Sequence, residues 1–272
     1  EGWRVRAVPG GASRTGRRPQ DLLVRLPDAP PRQVWLSRGF LLGEIEVTQA
    51  MWAAVSPDDP VGSRRQVLDG GVDAPCDAWK GRSLLGPDLP VVCVGWHDVV
   101  AWLNARSTRD GLRPAYVIVA SEPEPEVRWD RRANGWRLPT EAEWEHAARW
   151  AAPDPEPSPC ARANTRDQSA PERWGNEAPC DDGAPVLRAA SAQGRAPSGL
   201  YDLEGNALEW VWDRYGEWTG AAATDPVGPP HGAARVLKGG SWNHVPRGPA
   251  ARYASAPDSY SYTTGFRVAR DP

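Results

Sequence analysis

The sequence predicts an α+β domain that is rich in loops, with few helices and short antiparallel strands. Only about three segments place apolar residues at helical spacing, whereas many short apolar runs are bounded by turn residues. The 27 glycines and 29 prolines are scattered rather than periodic, which is typical of a loop-rich globular chain. No GxGxxG, phosphate-loop, HExxH or GxSxG motif occurs, so the sequence is a poor match to the common enzyme folds.

The first predicted elements lie in residues 34–47, which read as strands. Two apolar runs, residues 40–42 and 45–47, are separated by a glycine. Thr48 follows them and predicts the N-cap of a short helix over residues 49–55.

The next stretch, residues 56–90, is rich in Gly, Pro and Asp and predicts a long loop. Residues 90–94 then predict a short apolar strand. Asp98 can cap a second helix, whose apolar positions fall at helical spacing at Val99, Val100, Trp102 and Leu103.

A third helix start is the strongest local signal in the chain. Thr140 followed by Glu143 predicts a capping box, in which each side chain accepts a hydrogen bond from a backbone N–H at the helix start. Glu141 and Glu143 are also a possible catalytic carboxylate pair, but capping accounts fully for Glu143. The expected buried face carries Trp144, Ala147 and Ala148.

Charge and cysteine content exclude several classes of protein. The net charge of −3 gives no basic footprint for nucleic acid, and no apolar run is long enough to span a membrane. None of the four cysteines (Cys76, Cys93, Cys160 and Cys180) forms a CxxC pair. A zinc ribbon is therefore not expected. Four cysteines in a chain of this length do not indicate a disulfide framework, so reduced thiols are expected, with a Cys160–Cys180 bond as the exception, and a cytoplasmic location is favoured.

Eight motifs, taken in order, resemble the formylglycine-generating-enzyme, or sulfatase-modifying-factor, family. Each is weak alone, but their order and spacing are specific. The resemblance implies the family's C-type-lectin-like α+β fold over residues 34–272, with residues 1–33 as an arm or incomplete strand. The motifs occupy residues 46–49, 90–92, 96–98, 136–145, 199–206, 209–210, 239–242 and 265–268.

The resemblance also implies two structural calcium sites. The first would use the side chains of Asp202 and Glu209 with the carbonyls of Gly205 and Ala207, since hard cations prefer several oxygens around a tight turn. The second is aligned more loosely and would use Asn164, Thr165, Asp182 and Ala184. The alternative is that these carboxylates are ordinary turn and surface residues.

The family's best-known chemistry is not expected here. Its oxidising members bind copper through two cysteines just after the motif that ends in Ser241-Trp242, and thiolates are required to hold Cu(I). Residues 243–249 contain no cysteine, and none follows Cys180. Ser241 is therefore expected to close a turn. The iron-dependent branch relies on an extra histidine-rich helical domain that is not recognisable here, so neither copper nor iron is expected.

The loops at 243–264 carry residue types that are common in adaptable binding surfaces. They resemble the diversified segment of diversity-generating-retroelement variable proteins, which are noncatalytic members of the family. The alternative for residues 259–262 is a simple alternating strand. The candidate ligand-binding residues are Asn243, His244, Arg247, Arg252, Tyr253, Asp258, Ser259, Tyr260, Tyr262 and Thr263.

The favoured function is a noncatalytic module that binds a protein, or less readily a glycan, through these loops. It is expected to be the C-terminal domain of a larger bacterial protein, because the chain stops soon after the motif at residues 265–268 and begins at Glu1, with Met51 as its only methionine. Nucleic acid and membrane partners are not expected. The alternative is a metal-dependent oxidase or oxygenase with atypical ligands near His244, and a purely structural domain is the third possibility.

Overall fold

Short strands joined by long loops make up most of the fold. The computed structural model describes residues 3–16, 30–68, 72–122, 124–151, 158–170, 177–192, 195–217 and 220–272. Its described helices are α1 Gln49–Ala53, α2 Pro60–Ser63, α3 Trp96–Arg109, α4 Glu141–Ala151 and α5 Pro159–Arg162. Its described strands are β1 Val5–Val8, β2 Gly11–Thr15, β3 Arg32–Leu36, β4 Phe40–Gly43, β5 Arg65–Leu68, β6 Val72–Pro75, β7 Ala78–Trp79, β8 Arg82–Ser83, β9 Tyr116–Val119, β10 Glu126–Trp129, β11 Leu208–Arg214, β12 Ala223–Thr224, β13 Arg235–Lys238, β14 Tyr253–Ser255, β15 Thr264–Phe266 and β16 Ala269–Arg270.

The central sheet has the order β14-β13-β11-β15 and gathers strands from the last third of the chain. Its pairs are antiparallel except β11 with β15, which is parallel. Two three-stranded sheets, β1-β4-β16 and β12-β3-β2, lie beside hairpins β5–β6, β7–β8 and β9–β10. The predicted loop-rich α+β class is therefore confirmed.

All three predicted helices are present, and the caps predicted at Thr48 and Thr140 are confirmed, whereas the second helix has Gly95 rather than Asp98 as its N-cap. The hydroxyl of Thr48 accepts the Met51 N–H at 3.2 Å. Thr140 Oγ1 accepts the Glu143 N–H at 3.1 Å, while Glu143 Oε2 accepts the Thr140 N–H at 2.8 Å. Helix α3 begins before Asp98, which accepts the Gly95 N–H at 2.9 Å from the first turn.

Two strand predictions and one loop prediction are wrong. Residues 45–47 and 91–94 do not form strands. At the start of the second run, Pro90 makes only an isolated bridge to Thr48. The predicted loop at 56–90 contains α2 and strands β5 to β8. Apolar composition marked burial correctly in both runs, but burial does not require a strand.

The N-terminal segment belongs to the domain, which corrects the boundary predicted at residue 34. Strand β1 pairs with β4, and β2 pairs with β3. The indole of Trp3 lies 5.4 Å from that of Trp102, centroid to centroid. Residues 1–2 and 17–29 of the predicted arm lie outside the described residues.

Tryptophan side chains dominate the core and also bond across it. Trp96, Trp144 and Trp210 are fully buried. Trp96 Nε1 donates to the Val211 carbonyl at 3.0 Å, and Trp210 Nε1 donates to the Val94 carbonyl at 2.8 Å. A buried indole needs a partner for its N–H, so these bonds fix the helix α3 start against β11.

Both pairs of cysteines form disulfides, Cys76–Cys93 and Cys160–Cys180. The expectation of reduced thiols was wrong, and the exceptional Cys160–Cys180 bond is present. Spacing could not reveal the pairing, because it is the fold that brings the Cα atoms to 6.3 and 6.0 Å, within bridging range. Disulfides persist in oxidising compartments, which weighs against the cytoplasmic location.

Within the described residues, no helix combines the length and apolarity needed to cross a membrane.

Candidate functional site

The closing segment, residues 239–268, begins with a tight turn whose backbone angles favour glycine. Gly239 and Gly240 have φ angles of 90° and 76°. Ser241 follows, fully buried, with its Oγ 2.6 Å from His244 Nδ1 and accepting the Asn243 N–H at 3.2 Å. Ser241 therefore closes a turn, as the sequence predicted.

His244 ties this turn to the loop at residues 164–166. Its carbonyl accepts hydrogen bonds from Thr165 Oγ1 at 2.5 Å and from the Arg166 N–H at 3.0 Å. Burial, with added repulsion from Arg166 and Arg247, lowers the pKa of His244 to about 4. The imidazole is therefore neutral at neutral pH, and its ring packs edge-on to Tyr253 at 5.2 Å.

Four of the predicted ligand-binding residues lie around this turn and are half-buried: Asn243, His244, Arg247 and Tyr253. Burial raises the pKa of the Tyr253 phenol, which is therefore protonated at neutral pH. The group offers a phenol, a guanidinium and an amide at one place, which is a set of hydrogen-bonding groups rather than a set of metal ligands.

Three other predicted ligand-binding residues are buried and belong to the scaffold, which corrects their assignment. Arg252 forms a two-pronged ion pair with Glu141 at 2.6 and 3.0 Å. Tyr262 stacks on Trp79 at 4.8 Å. Thr263 is buried at a turn, where its N–H donates to a neighbouring hydroxyl. Residue type alone suggested exposure, but Arg and Tyr are equally suited to buried pairing.

The remaining three, Asp258, Ser259 and Tyr260, are exposed and consecutive. The chain on both sides of them is anchored. The carbonyl just before Asp258 accepts the Trp96 N–H at 2.7 Å, and the carbonyl just after Tyr260 accepts the Cys93 N–H at 2.9 Å. We refer to residues 258–260 as the presented tripeptide.

The presented tripeptide is not a strand, which removes the alternating-strand interpretation of residues 259–262. Tyr260 is 37% exposed, whereas Tyr262 is 6% exposed. The guanidinium of Arg64 lies over the Tyr260 ring at 5.2 Å. Asp258 contacts His97, with Nδ1 to Oδ1 at 2.6 Å, rather than joining His244 in a metal site.

The first predicted calcium set lies deep in the fold. Asp202 and Glu209 are fully buried. Both oxygens of Glu209 accept from Arg267, at 2.6 and 2.7 Å, and Trp144 Nε1 adds a third bond at 2.6 Å. Asp202 Oδ2 accepts the Ser191 N–H at 2.9 Å, but its Oδ1 is buried without a hydrogen-bond partner.

Glu46 completes this set, and the sequence reasoning missed it. Both of its carboxylate oxygens are buried without a hydrogen-bond partner. Burial, followed by repulsion from Asp202, raises the pKa of Glu46 well above its usual value. Burial likewise raises the pKa of Asp202 to about 6. An acidic residue inside an apolar motif was the available signal, because such a group is rarely buried unpaired.

The second predicted calcium set sits directly beside the first. The Asn206 N–H donates to the Asn164 carbonyl at 2.7 Å, and a Cβ at Gly205 would collide with that carbonyl. Asp182 accepts the N–H groups of Thr165 at 2.7 Å and Ala184 at 2.8 Å, one on each oxygen. Burial raises the pKa of Asp182 to about 6. In this set, Asn164 Oδ1 is buried without a hydrogen-bond partner.

A cavity of about 440 Å³ lies elsewhere, between β3, β10 and the chain terminus, and includes none of the predicted site residues. Its wall contains Arg137, whose guanidinium is already paired with Glu143 at 2.7 Å and Asp271 at 2.6 Å. Three of the charged side chains that line it are thus already paired with one another.

Comparison with known proteins identifies the scaffold. Residues 4–272 match the family described as "Sulfatase-modifying factor enzyme 1-like domain". The chain belongs to this family. Its fold is the family's C-type-lectin-like α+β fold, as the resemblance implied.

Curated relatives carry different descriptions. The "Formylglycine-generating enzyme" of Thermomonospora curvata is 32% identical, and the match covers 98% of this chain and 93% of that protein. The "Chaperone protein LppX" of Paenibacillus barcinonensis is 28% identical over 86% of this chain and 77% of its own.

Two solved structures share the fold over nearly the whole family domain. "Treponema denticola variable protein 1" superposes with a TM-score of 0.75 and 25% identity, covering 99% of this chain and 95% of its own. PvdO from Pseudomonas aeruginosa gives a TM-score of 0.72 at 22% identity, covering 98% and 94%, and supports the fold alone.

Replacing Arg252 with methionine should destabilise the fold by about 3–5 kcal/mol, because Glu141 would stay buried without its main partner. Urea unfolding measures the effect. Arg82→Met, on exposed β8, is the matched control and should change stability by no more than about 0.5 kcal/mol. Equal effects of the two changes would argue against a scaffold role for Arg252.

Acid should weaken the fold through His244. Its folded pKa lies below its unfolded value, so the unfolded chain takes up the proton more readily and stability falls as pH drops from about 6.5 to about 4. Between about pH 7 and about pH 4.5 the wild type should lose about 2–3 kcal/mol more than His244→Asn. His231→Asn, at an exposed histidine, should follow the wild type. Parallel pH profiles for wild type and His244→Asn would contradict the assignment.

Proposed function

We propose that this chain is a noncatalytic ligand-binding module of its family, and that it recognises a protein through the exposed part of residues 243–264. The contact surface consists of the presented tripeptide and the half-buried group around His244. Calcium would stabilise the loops beneath it rather than take part in recognition.

The cysteines support a noncatalytic role. Residues 243–249, where the oxidising members carry their thiolate pair, contain no cysteine. All four cysteines of the chain are in the disulfides Cys76–Cys93 and Cys160–Cys180. A disulfide sulfur offers no thiolate to Cu(I), so the chain has no free thiolate for the family's copper chemistry.

The presented tripeptide carries the proposal. It exposes the Tyr260 ring and the Ser259 hydroxyl, and the backbone on both sides of it is hydrogen-bonded to the scaffold. Tyr260 gives amphipathic contact area with few rotamers, and Ser259 gives an adaptable hydrogen bond. A rigid display of this kind lowers the entropy lost on binding, which favours recognition of another protein surface.

The resemblance to a variable protein supports the same location. Treponema denticola variable protein 1 shares the fold and 25% of aligned residues. Sequence changes at residues 258–260 would leave the buried pairs of Arg252 and Tyr262 intact. The scaffold is therefore compatible with diversification of its exposed positions.

The recognition proposal is tested by site-specific crosslinking. A photoreactive amino acid at Ser259 should capture a discrete protein from extracts of the source cells, while the same group at Trp150, an exposed position on α4, should not. Against the captured protein, Tyr260→Ala should weaken binding by at least about 10-fold. Trp150→Ala, which removes an aromatic side chain of similar exposure, should bind like the wild type.

Two results would overturn this proposal. One is unchanged affinity for the captured protein after Tyr260→Ala. The other is formation of formylglycine when the purified chain is incubated with copper, oxygen and a cysteine-containing peptide. Binding that is abolished by glycosidase treatment of the captured protein would assign the ligand to a glycan instead.

We also propose calcium at the first set, with Glu46 as a further ligand beside Asp202 and Glu209. Three carboxylates meet there, and three of their oxygens are buried without a partner. Arg267 supplies one positive charge, so a divalent cation would neutralise the excess and satisfy the orphaned oxygens. At the second set, Asn164 Oδ1 is the atom a cation would satisfy.

Calcium at about 100 times its Kd should stabilise the protein by about 2.7 kcal/mol, which raises Tm by about 5–10 °C over the chelator-treated protein. Asp202→Asn should remove most of that shift, and Asp58→Asn, an exposed control, should keep it. Calorimetric titration separates one bound ion from two, and Asp182→Asn reports on the second. Identical melting in calcium and in chelator would refute the proposal.

A further inference from the structure

Three side chains that can bind a metal meet at the surface, outside both calcium sets. His97 lies in the first turn of α3, Glu124 in the loop between β9 and β10, and Asp258 in the presented tripeptide. One ligand atom from each lies within 4.8 Å of the other two. The closest pair is His97 Nδ1 and Asp258 Oδ1, at 2.6 Å.

The position of Glu124 is not explained by the protein's own contacts. It is half-buried, and its carboxylate has no hydrogen bond or ion pair with any part of the chain that the structure describes. Arg235 is near enough to interact with it electrostatically. That guanidinium instead donates to the Trp212 carbonyl at 2.7 Å and stacks on Trp96 at 3.5 Å. Two carboxylates and an imidazole are thus held together at the surface, and the Glu124 carboxylate is available to a bound cation.

The backbone holds the three ligands in place. The Trp96 N–H donates to the Pro257 carbonyl at 2.7 Å, so the residues next to His97 and Asp258 are bonded to each other. The Trp96 ring packs edge-on to the His97 ring at 5.5 Å. Ser121 Oγ donates to the Glu124 carbonyl at 2.7 Å and shapes the third loop.

We propose that His97, Glu124 and Asp258 form a binding site for a divalent transition metal of the zinc class. An imidazole nitrogen with two carboxylate oxygens is a donor set that zinc accepts. Because the site is at the surface, the coordination positions that the three side chains do not fill would be open to water or to an external molecule. The nitrogen distinguishes the site from the all-oxygen calcium sets, and the absence of thiolate among the three disfavours Cu(I).

A bound ion would join three segments that are separated in the sequence: the start of α3, the β9–β10 hairpin and the loop that contains Asp258. This inference does not rest on the proposed recognition function, because two of the three ligands, His97 and Glu124, lie outside residues 243–264. A failure of one proposal therefore leaves the other standing.

The test is a calorimetric titration of the intact chain with Zn²⁺ in the presence of excess calcium, which occupies the hard-cation sets. The wild type should bind one Zn²⁺ at this site. His97→Ala and Glu124→Gln should each weaken that binding by at least about 10- to 100-fold, since even indirect partners of metal ligands have effects of that size. Co²⁺ in place of Zn²⁺ should give visible absorption bands that His97→Ala removes.

Matched controls lie close by. Glu122→Gln changes an exposed carboxylate two residues from Glu124, and His231→Ala removes an exposed histidine outside the cluster. Both should bind Zn²⁺ like the wild type. If His97→Ala does not fold, the isosteric Glu124→Gln carries the test. The proposal is overturned if the wild type binds no stoichiometric Zn²⁺, or if Glu124→Gln and Glu122→Gln bind it equally well.

Discussion

The fold depends on one buried ion pair, between Arg267 and Glu209. The two-pronged contact links the closing segment to the central strand β11. The same guanidinium donates to the carbonyls of Gly43 at 3.1 Å, Tyr201 at 3.0 Å and Asp202 at 3.2 Å. A fully buried arginine is tolerated only when its donors are satisfied, so these segments must arrive together. The motifs at residues 136–145, 199–206, 209–210 and 265–268 therefore meet in one interaction.

This arrangement explains why the centre of the domain is acidic. Glu46, Asp202 and Glu209 surround a single buried guanidinium, and burial raises the pKa of both Glu46 and Asp202. Without a further cation, burial and mutual repulsion favour the protonated forms of these carboxyls. A metal ion would supply positive charge and favour their ionised forms, in competition with protons.

Local signals in the sequence predicted local structure well. The caps at Thr48 and Thr140 depend on residues three positions apart, and both are present. Contacts between residues that are far apart in the chain are not marked by any such local sequence pattern. His97 and Asp258 are 161 residues apart, and Arg252 and Glu141 are 111 apart, so neither pair could be deduced from one sequence. The Cys76–Cys93 disulfide was missed because spacing alone does not show which cysteines the fold brings within bridging range.

The closing loops show why residue type is a poor guide to exposure. Tyr260 and Tyr262 would share a face in a strand, yet the first is exposed and the second stacks between Trp79 and Trp242. Between them the Ser261 carbonyl accepts the Cys93 N–H, and residues 262–263 form a turn rather than a strand. Residues on the scaffold side of this anchor cannot vary without disturbing the core, whereas Ser259 and Tyr260 are exposed and can. The same bonds that fix the fold therefore set the limits of the surface available for recognition.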